Sequence, residues 1–206
     1  MTRKPQQRSI ATRARLLAAA RDLSQKHGLE LVTADAIAKE AGVAKGTVFA
    51  HFGDMDGLLS HVLLDRLNAL RATAAVDTGQ AEHIADPVGL VTRRMMALVS
   101  VITDSPTILR LFLDNIGVTK PNCAEEFVAT LDGLDADLAD FLTVWQQSPT
   151  LQPRLRRDRQ PAELVDGLIA FMIHGAILLK SHQLTDPKSL EARLRRHVEA
   201  FLISDG

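Results

Sequence analysis

Residues Thr33–Phe52, TADAIAKEAGVAKGTVFAHF, have the composition of two short helices joined by a tight turn. Thr33 stands where a helix N-cap belongs, and Asp35 falls in the first turn, where a carboxylate suits the positive end of the helix dipole. The first helix spans Ala34 to Ala41 and is stopped by Gly42; the second runs from about Lys45 to His51, before a break at Gly53-Asp54. Gly42 can take the left-handed backbone that the turn Gly42-Val43-Ala44 requires. Ala38 is small where the two helices cross, and Ile37, Val43, Val48 and Phe52 are spaced to point inward. Lys45, Gly46, Thr47, Ala50 and His51 are then left outward on the second helix. This is the plan of a helix-turn-helix, whose second helix enters the major groove of DNA.

Helical spacing continues on both sides of this tract. Leu16, Ala20 and Leu23, with Ala19 alongside, mark a helix from Ser9 to about His27, with Ser9 as N-cap and Gly28 as the stop. Downstream, Leu59, Val62, Leu63, Leu67 and Leu70 mark a helix from about Asp56 that fades in the polar stretch 77–83. Pro87 opens a helix to about Thr103, Ser105-Pro106 one that stops at Gly117, and Lys120-Pro121-Asn122 one that reaches Gln147. Ser148 to Pro161, with three prolines and four arginines, reads as an exposed connection. Pro161 and Pro187 open the last two helices. The expectation is an all-α fold of nine helices with no strand.

Composition supports a packed protein: 206 residues, 46% hydrophobic and 24% charged. One cysteine, Cys123, forms no intrachain disulfide, and the start lacks the apolar core of a secretion signal, so a cytoplasmic location is expected. The helix near 162–182 is apolar almost all round. Its uninterrupted run, Gly167 to Leu179, includes His174 and is shorter than the roughly 20 residues a bilayer requires, so burial in protein is expected and no membrane partner. A twofold pairing of subunits would cover it.

The tract and its flanks resemble the TetR family of bacterial transcription regulators. The resemblance covers Thr12 to about Val62: Thr12-Arg13-x-x-Leu16-Leu17-x-Ala19-Ala20-x-x-Leu23, then Gly28, Ile37-Ala38-x-x-Ala41-Gly42-Val43, Lys45-Gly46-Thr47-Val48-Phe49, Phe52 and Leu58-Leu59. It implies a helix-turn-helix head over 1–55, with a basic N-terminal arm, and an effector-binding and dimerisation body over 56–206. It also implies a homodimer joined through the helices near 162–182 and 188–203. The function implied is a sequence-specific regulator, a ligand-released repressor on a palindromic operator. Arg3, Lys4, Arg8, Thr33, Lys45, Gly46, Thr47, Phe49, Ala50 and His51 are the expected DNA-binding residues. The chain departs from the family pattern at Ala44, where Ser or Thr is common, at Phe49, where Tyr is, and at Met55, where Lys is. These departures keep a second reading open: a helical module that binds a small molecule or a protein and holds DNA weakly.

Net charge is −1, from 24 Lys and Arg against 25 Asp and Glu. It is unevenly spread. The first 26 residues hold seven basic side chains and one acidic, a net +6, and the remainder 17 and 24, a net −7. A positive arm beside the helix-turn-helix suits phosphate contact. In the body, an effector pocket would be mostly apolar with a few polar anchors. Met96, Phe112, Asn115, Trp145 and His174 are the candidates for its lining, the last three because each brings a polar group into an apolar helix. The expected effector is a largely apolar small molecule. No nucleophile motif, Gly-rich phosphate loop or metal-ligand spacing occurs, so neither an enzyme nor a cofactor nor a metal is expected.

Overall fold

The computed structural model describes residues 3–79, 84–115, 121–184 and 186–203; the side chains of 3–5 and 76–79 lie outside that description. Among the described residues the chain forms nine α-helices: α1 (Arg3–His27), α2 (Ala34–Ala41), α3 (Lys45–Phe52), α4 (Met55–Gly79), α5 (Pro87–Ile102), α6 (Pro106–Asp114), α7 (Glu125–Gln147), α8 (Pro161–Lys180) and α9 (Pro187–Leu202). A 3-10 turn covers Leu29–Leu31, and one isolated bridge joins Leu155 and Ile203. Packing divides the chain into two units, Met1–Asp65 with Thr107–Val128, and Arg66–Pro106 with Ala129–Gly206. The division falls inside α4, ten residues beyond an expected boundary after residue 55, and α6 groups with the head.

In the first unit α1 packs on α2, and Leu16 and Ala20 of α1 and Ile37 and Ala38 of α2 are all nearly or fully buried. Burying one leucine side chain stabilises a fold by roughly 1.5–3 kcal/mol. α1 begins at Arg3, so Ser9 lies inside the helix and is not its N-cap. Arg, Lys and Gln favour helix, and Pro5 falls in the first turn, where its missing N–H breaks no intrahelical bond. α2 is capped as expected: the Thr33 hydroxyl accepts from the Ala36 N–H at 3.2 Å. It ends on Gly42 at φ 64°, with the Val43 N–H on the Ala38 carbonyl and the Gly42 N–H on that of Lys39, the Schellman pairing that satisfies the last carbonyls. Asp54 caps α4, its Oδ1 accepting from the Gly57 N–H at 2.8 Å.

In the second unit α5, α8 and α9 pack on one another through Leu90, Val91, Leu168, Met172, Leu194 and Val198. Asp86 and Asp186 cap α5 and α9, and α5, α8 and α9 each place proline in the first turn. α8 is long and apolar enough to cross a membrane, but Leu164, Leu168, Met172 and Ala176 are buried within the unit.

The segment 148–161 is mostly exposed, as expected, but it is anchored at several points. Leu151 and Leu155 are buried, Trp145 Nε1 donates to the Pro153 carbonyl at 2.9 Å, and Gln146 Nε2 donates to the carbonyls of Arg156 and Arg159. The Arg156 N–H donates to the Leu202 carbonyl and its Nη1 to that of Phe201. A proline- and arginine-rich stretch is thus held by main-chain acceptors, which composition does not register.

Candidate functional site

The outer face of the helix-turn-helix is α3. Val48 and Phe52 are buried under it, Val43 is half-buried, and Lys45, Gly46, Phe49 and Ala50 are exposed, with Thr47 and His51 partly so. Lys45 is not free: its Nζ pairs with Asp35 Oδ2 at 2.7 Å, and both side chains face solvent. Such a pair is worth roughly 0–1 kcal/mol, so a phosphate can displace it. α3 starts on Ala44, which supplies no side-chain cap. Gly53 ends it at φ 76°, with its N–H on the Phe49 carbonyl. A Cβ at Gly53 would sit 2.5 Å from Asn122 Oδ1, so the helix end is closely covered.

The basic arm is thinner than its composition. Arg13 turns inward, donating from Nη1 to the His51 carbonyl at 2.6 Å, and its guanidinium lies 4.3 Å from the centre of the Phe52 ring. Arg21 pairs with Asp65 at 2.9 Å. Arg8, Arg15 and Lys26 remain exposed. Arg3 and Lys4 belong to the α1 backbone, and their side chains lie outside the described residues.

The two acids after α3 are also engaged. Asp54 Oδ2 accepts from Asn122 Nδ2 at 2.6 Å. Asp56 accepts a forked bond from Arg110 of α6, at 2.5 and 3.0 Å, and Arg110 also reaches Asp114. Ser60, fully buried, donates to the Gly57 carbonyl and accepts from the Ala124 N–H. Asp56 is thus charge-paired by Arg110 of α6, and Asp54 is held by a neutral amide before α7 and keeps its charge.

The second unit holds a cavity of about 470 Å³. Its apolar wall comes from Leu70 of α4, Leu90 and Leu98 of α5, Leu134 and Leu138 of α7, and Leu168 and Met172 of α8. Arg93, Arg94 and Asp135 add charge. Arg94 Nη2 donates to the Ala74 carbonyl at 2.7 Å, and its guanidinium stands 5.1 Å from the Phe141 ring centre. Asp135 as a residue stays exposed, and its carboxyl is pushed up to about 6, first by partial desolvation and then by the like charges of Asp132 and Asp166.

Residues 16–62 match the model of the bacterial regulatory proteins of the tetR family. They form a TetR-family head. The whole chain has the fold of TetR-type regulators. Thermus thermophilus FadR, a TetR-family repressor in complex with lauroyl-CoA, is 21% identical, with 94% of this chain and 97% of that one covered and a TM-score of 0.63. A regulator from Bacillus subtilis, FadR in complex with stearoyl-CoA, is 15% identical, covering 90% and 96%, at 0.59. A protein from Saccharomonospora viridis in complex with choline is 19% identical, covering 95% and 99%, at 0.60. At these identities the likeness shows a shared fold. No curated protein matches the chain in sequence.

On this TetR-type fold the expected effector residues lie apart from one another. Phe112 and Asn115 are buried in the first unit, where Asn115 Nδ2 donates to the Leu111 carbonyl. Met96 is half-buried on α5, Trp145 is tied to Pro153, and His174 is exposed on α8. None of the five lines the cavity described above. Arg94 and Asp135 do line it, and both left a trace: each is a charged residue set four from a leucine in an apolar stripe, Leu90 to Arg94 and Leu131 to Asp135.

Proposed function

We propose that the chain is a sequence-specific DNA-binding transcriptional regulator, acting as a homodimer whose hold on a palindromic operator is released by a small molecule. The observation that carries this is the outward face of α3, with Lys45, Gly46, Thr47, Ala50 and His51 presented on a helix-turn-helix fixed by Ile37, Val48 and Phe52. In this reading Lys45 and Thr47 reach base edges, while Arg8, Thr33, Phe49 and His51, with Arg3 and Lys4, lie along the backbone. Residues 1–55 read the DNA, and 56–206 bind effector and the second subunit.

The dimer face is the outer side of α8 and α9. Ile177 is exposed there, Ile173 half-buried, and Phe171 stacks on His197 and meets Phe201 edge-on. An effector in the 470 Å³ cavity releases DNA only if it binds the two states with different affinity, so DNA must weaken the effector equally. The complexes of similarly folded proteins with lauroyl-CoA and choline support a small-molecule role for this part of the fold. A regulator working on bacterial DNA acts in the cytoplasm.

A second reading, a helical module binding a small molecule or a protein and holding DNA weakly, is favoured by the Lys45–Asp35 pair and the uncapped start of α3. One experiment separates the two. Selection from a random DNA pool, followed by gel shift, should enrich a palindrome whose binding falls steeply with salt. Lys45→Ala with Thr47→Ala should abolish it and leave the dimer intact. Failure to enrich any DNA establishes the second reading.

A further inference from the structure

We infer that α3 identifies thymine by its methyl group: the exposed ring of Phe49 seats against the C5-methyl of one thymine in each half-site of the operator. The inference rests on α3 entering the major groove and names what Phe49 reads there.

The described residues include all seven phenylalanines. Phe52, Phe112, Phe127 and Phe141 are buried and Phe171 and Phe201 half-buried, whereas Phe49 is 38% exposed. A single exposed apolar side chain is ordinary on a protein surface. This one lies on the outward face of the second helix of a helix-turn-helix, the face that meets base edges. A helical side chain leans back over the turn before it, which for Phe49 is the turn of Lys45 and Gly46. Gly46 has no side chain to cover the ring, and a Cβ there would meet nothing within 4 Å among the described residues. Packing within the protein therefore does not ask for glycine, which weakens a helix relative to alanine. A surface that comes close to the helix backbone from outside does ask for it. Ala50, beside the ring, is also small and exposed.

The hydrogen-bonding side chains on this face are Lys45, held by Asp35 at 2.7 Å, Thr47 and His51. Phe49 offers a phosphate no donor. What it can meet beside the strand is carbon. Of the four bases thymine alone presents a methyl group in the major groove, and Phe is among the side chains that suit it. That methyl projects from the edge of the base nearest its own strand, so a ring running along the strand is placed against it. Cytosine offers only a bare C5–H at the same point. Closing the ring on the methyl removes both from water.

The test uses the palindrome that the full-length protein enriches from a random pool, remade with deoxyuridine for thymidine at one symmetric pair of positions at a time. Deoxyuridine keeps the base pair and the O4 acceptor and removes only the methyl. At one pair, affinity by gel shift should fall roughly fourfold per methyl, about fifteenfold for the two. Phe49→Ala, measured at low salt where phosphate contacts sustain binding, should not respond to deoxyuridine at that pair, and its remaining binding shows that it is folded. Gly46→Ala should melt no lower than the wild type and bind the thymine duplex less tightly. If every thymine can be replaced without loss, or if the loss persists in Phe49→Ala, the inference is overturned and α3 still reads DNA. Failure to enrich any DNA overturns both.

Discussion

The Arg13 guanidinium donates to the main-chain carbonyl of His51 at 2.6 Å, clamping the middle of α1 to the last turn of α3. The same group covers the Phe52 ring and approaches His61 Nε2 at 2.6 Å. One arginine thereby satisfies a carbonyl that the helix end leaves open and fixes the angle at which α3 is presented.

Replacing Arg13 with alanine should cost about 1–3 kcal/mol, from a charged hydrogen bond and a cation–π contact. Arg13→Lys should restore little, since a single ammonium cannot reproduce the planar fork. Denaturant melts of both variants check this, and operator affinity should fall with stability.

The Arg13 contact uses His61 Nε2 as acceptor, which requires a neutral imidazole. Burial lowers the His61 pKa first, then Arg13, with Arg21 adding to the effect and Glu126 opposing it. The folded value lies below 6.5, so the stabilisation is complete above 6.5 and is lost as pH falls from there through the folded value. The melting temperature of the wild type should drop on acidification through this window, and that of His61→Gln should be flatter.

Arg110 holds Asp56, whose side chain is only 16% exposed, beside the recognition helix. Arg110→Ala should cost up to about 1 kcal/mol of stability. It should weaken operator binding further than that, because it uncovers a carboxylate near the phosphates. Adding Asp56→Asn to the alanine variant should recover DNA affinity. A gel-shift series across salt concentrations distinguishes this recovery from a change in folding alone.

α3 starts without a side-chain cap at Ala44, whose φ and ψ of −72° and 146° already suit a capping residue. Ala44→Ser should add roughly 0.5–2 kcal/mol, and Thr33→Ala should remove a similar amount from α2. Thermal melts of the two variants should move in opposite directions.

How much the chain reveals by itself follows from the range of each interaction. Thr33, Gly42, Pro87, Pro161 and Pro187 act within a few residues of themselves, and the helix limits they set are legible by eye. The inward face of the helix-turn-helix is legible for the same reason. Arg13 and Arg21 are different: composition counts them as arm charge, yet partners 38 or more residues away turn Arg13 inward and pair Arg21 with Asp65 at the surface. The cavity lining combines residues of four helices, so Asp135 acquires its environment only when α7 is packed. Ser9 was lost to helix propensity, which carries α1 past a good capping residue.

The grip of Arg156 on the carbonyls of Phe201 and Leu202 has a reach beyond its own loop. It gives the last carbonyls of α9 donors from outside the helix and ties that end to the loop. Two subunits joined on these helices would inherit that tie from a loop that need not touch the partner. In such a dimer Arg156 would bear on the interface without being part of it.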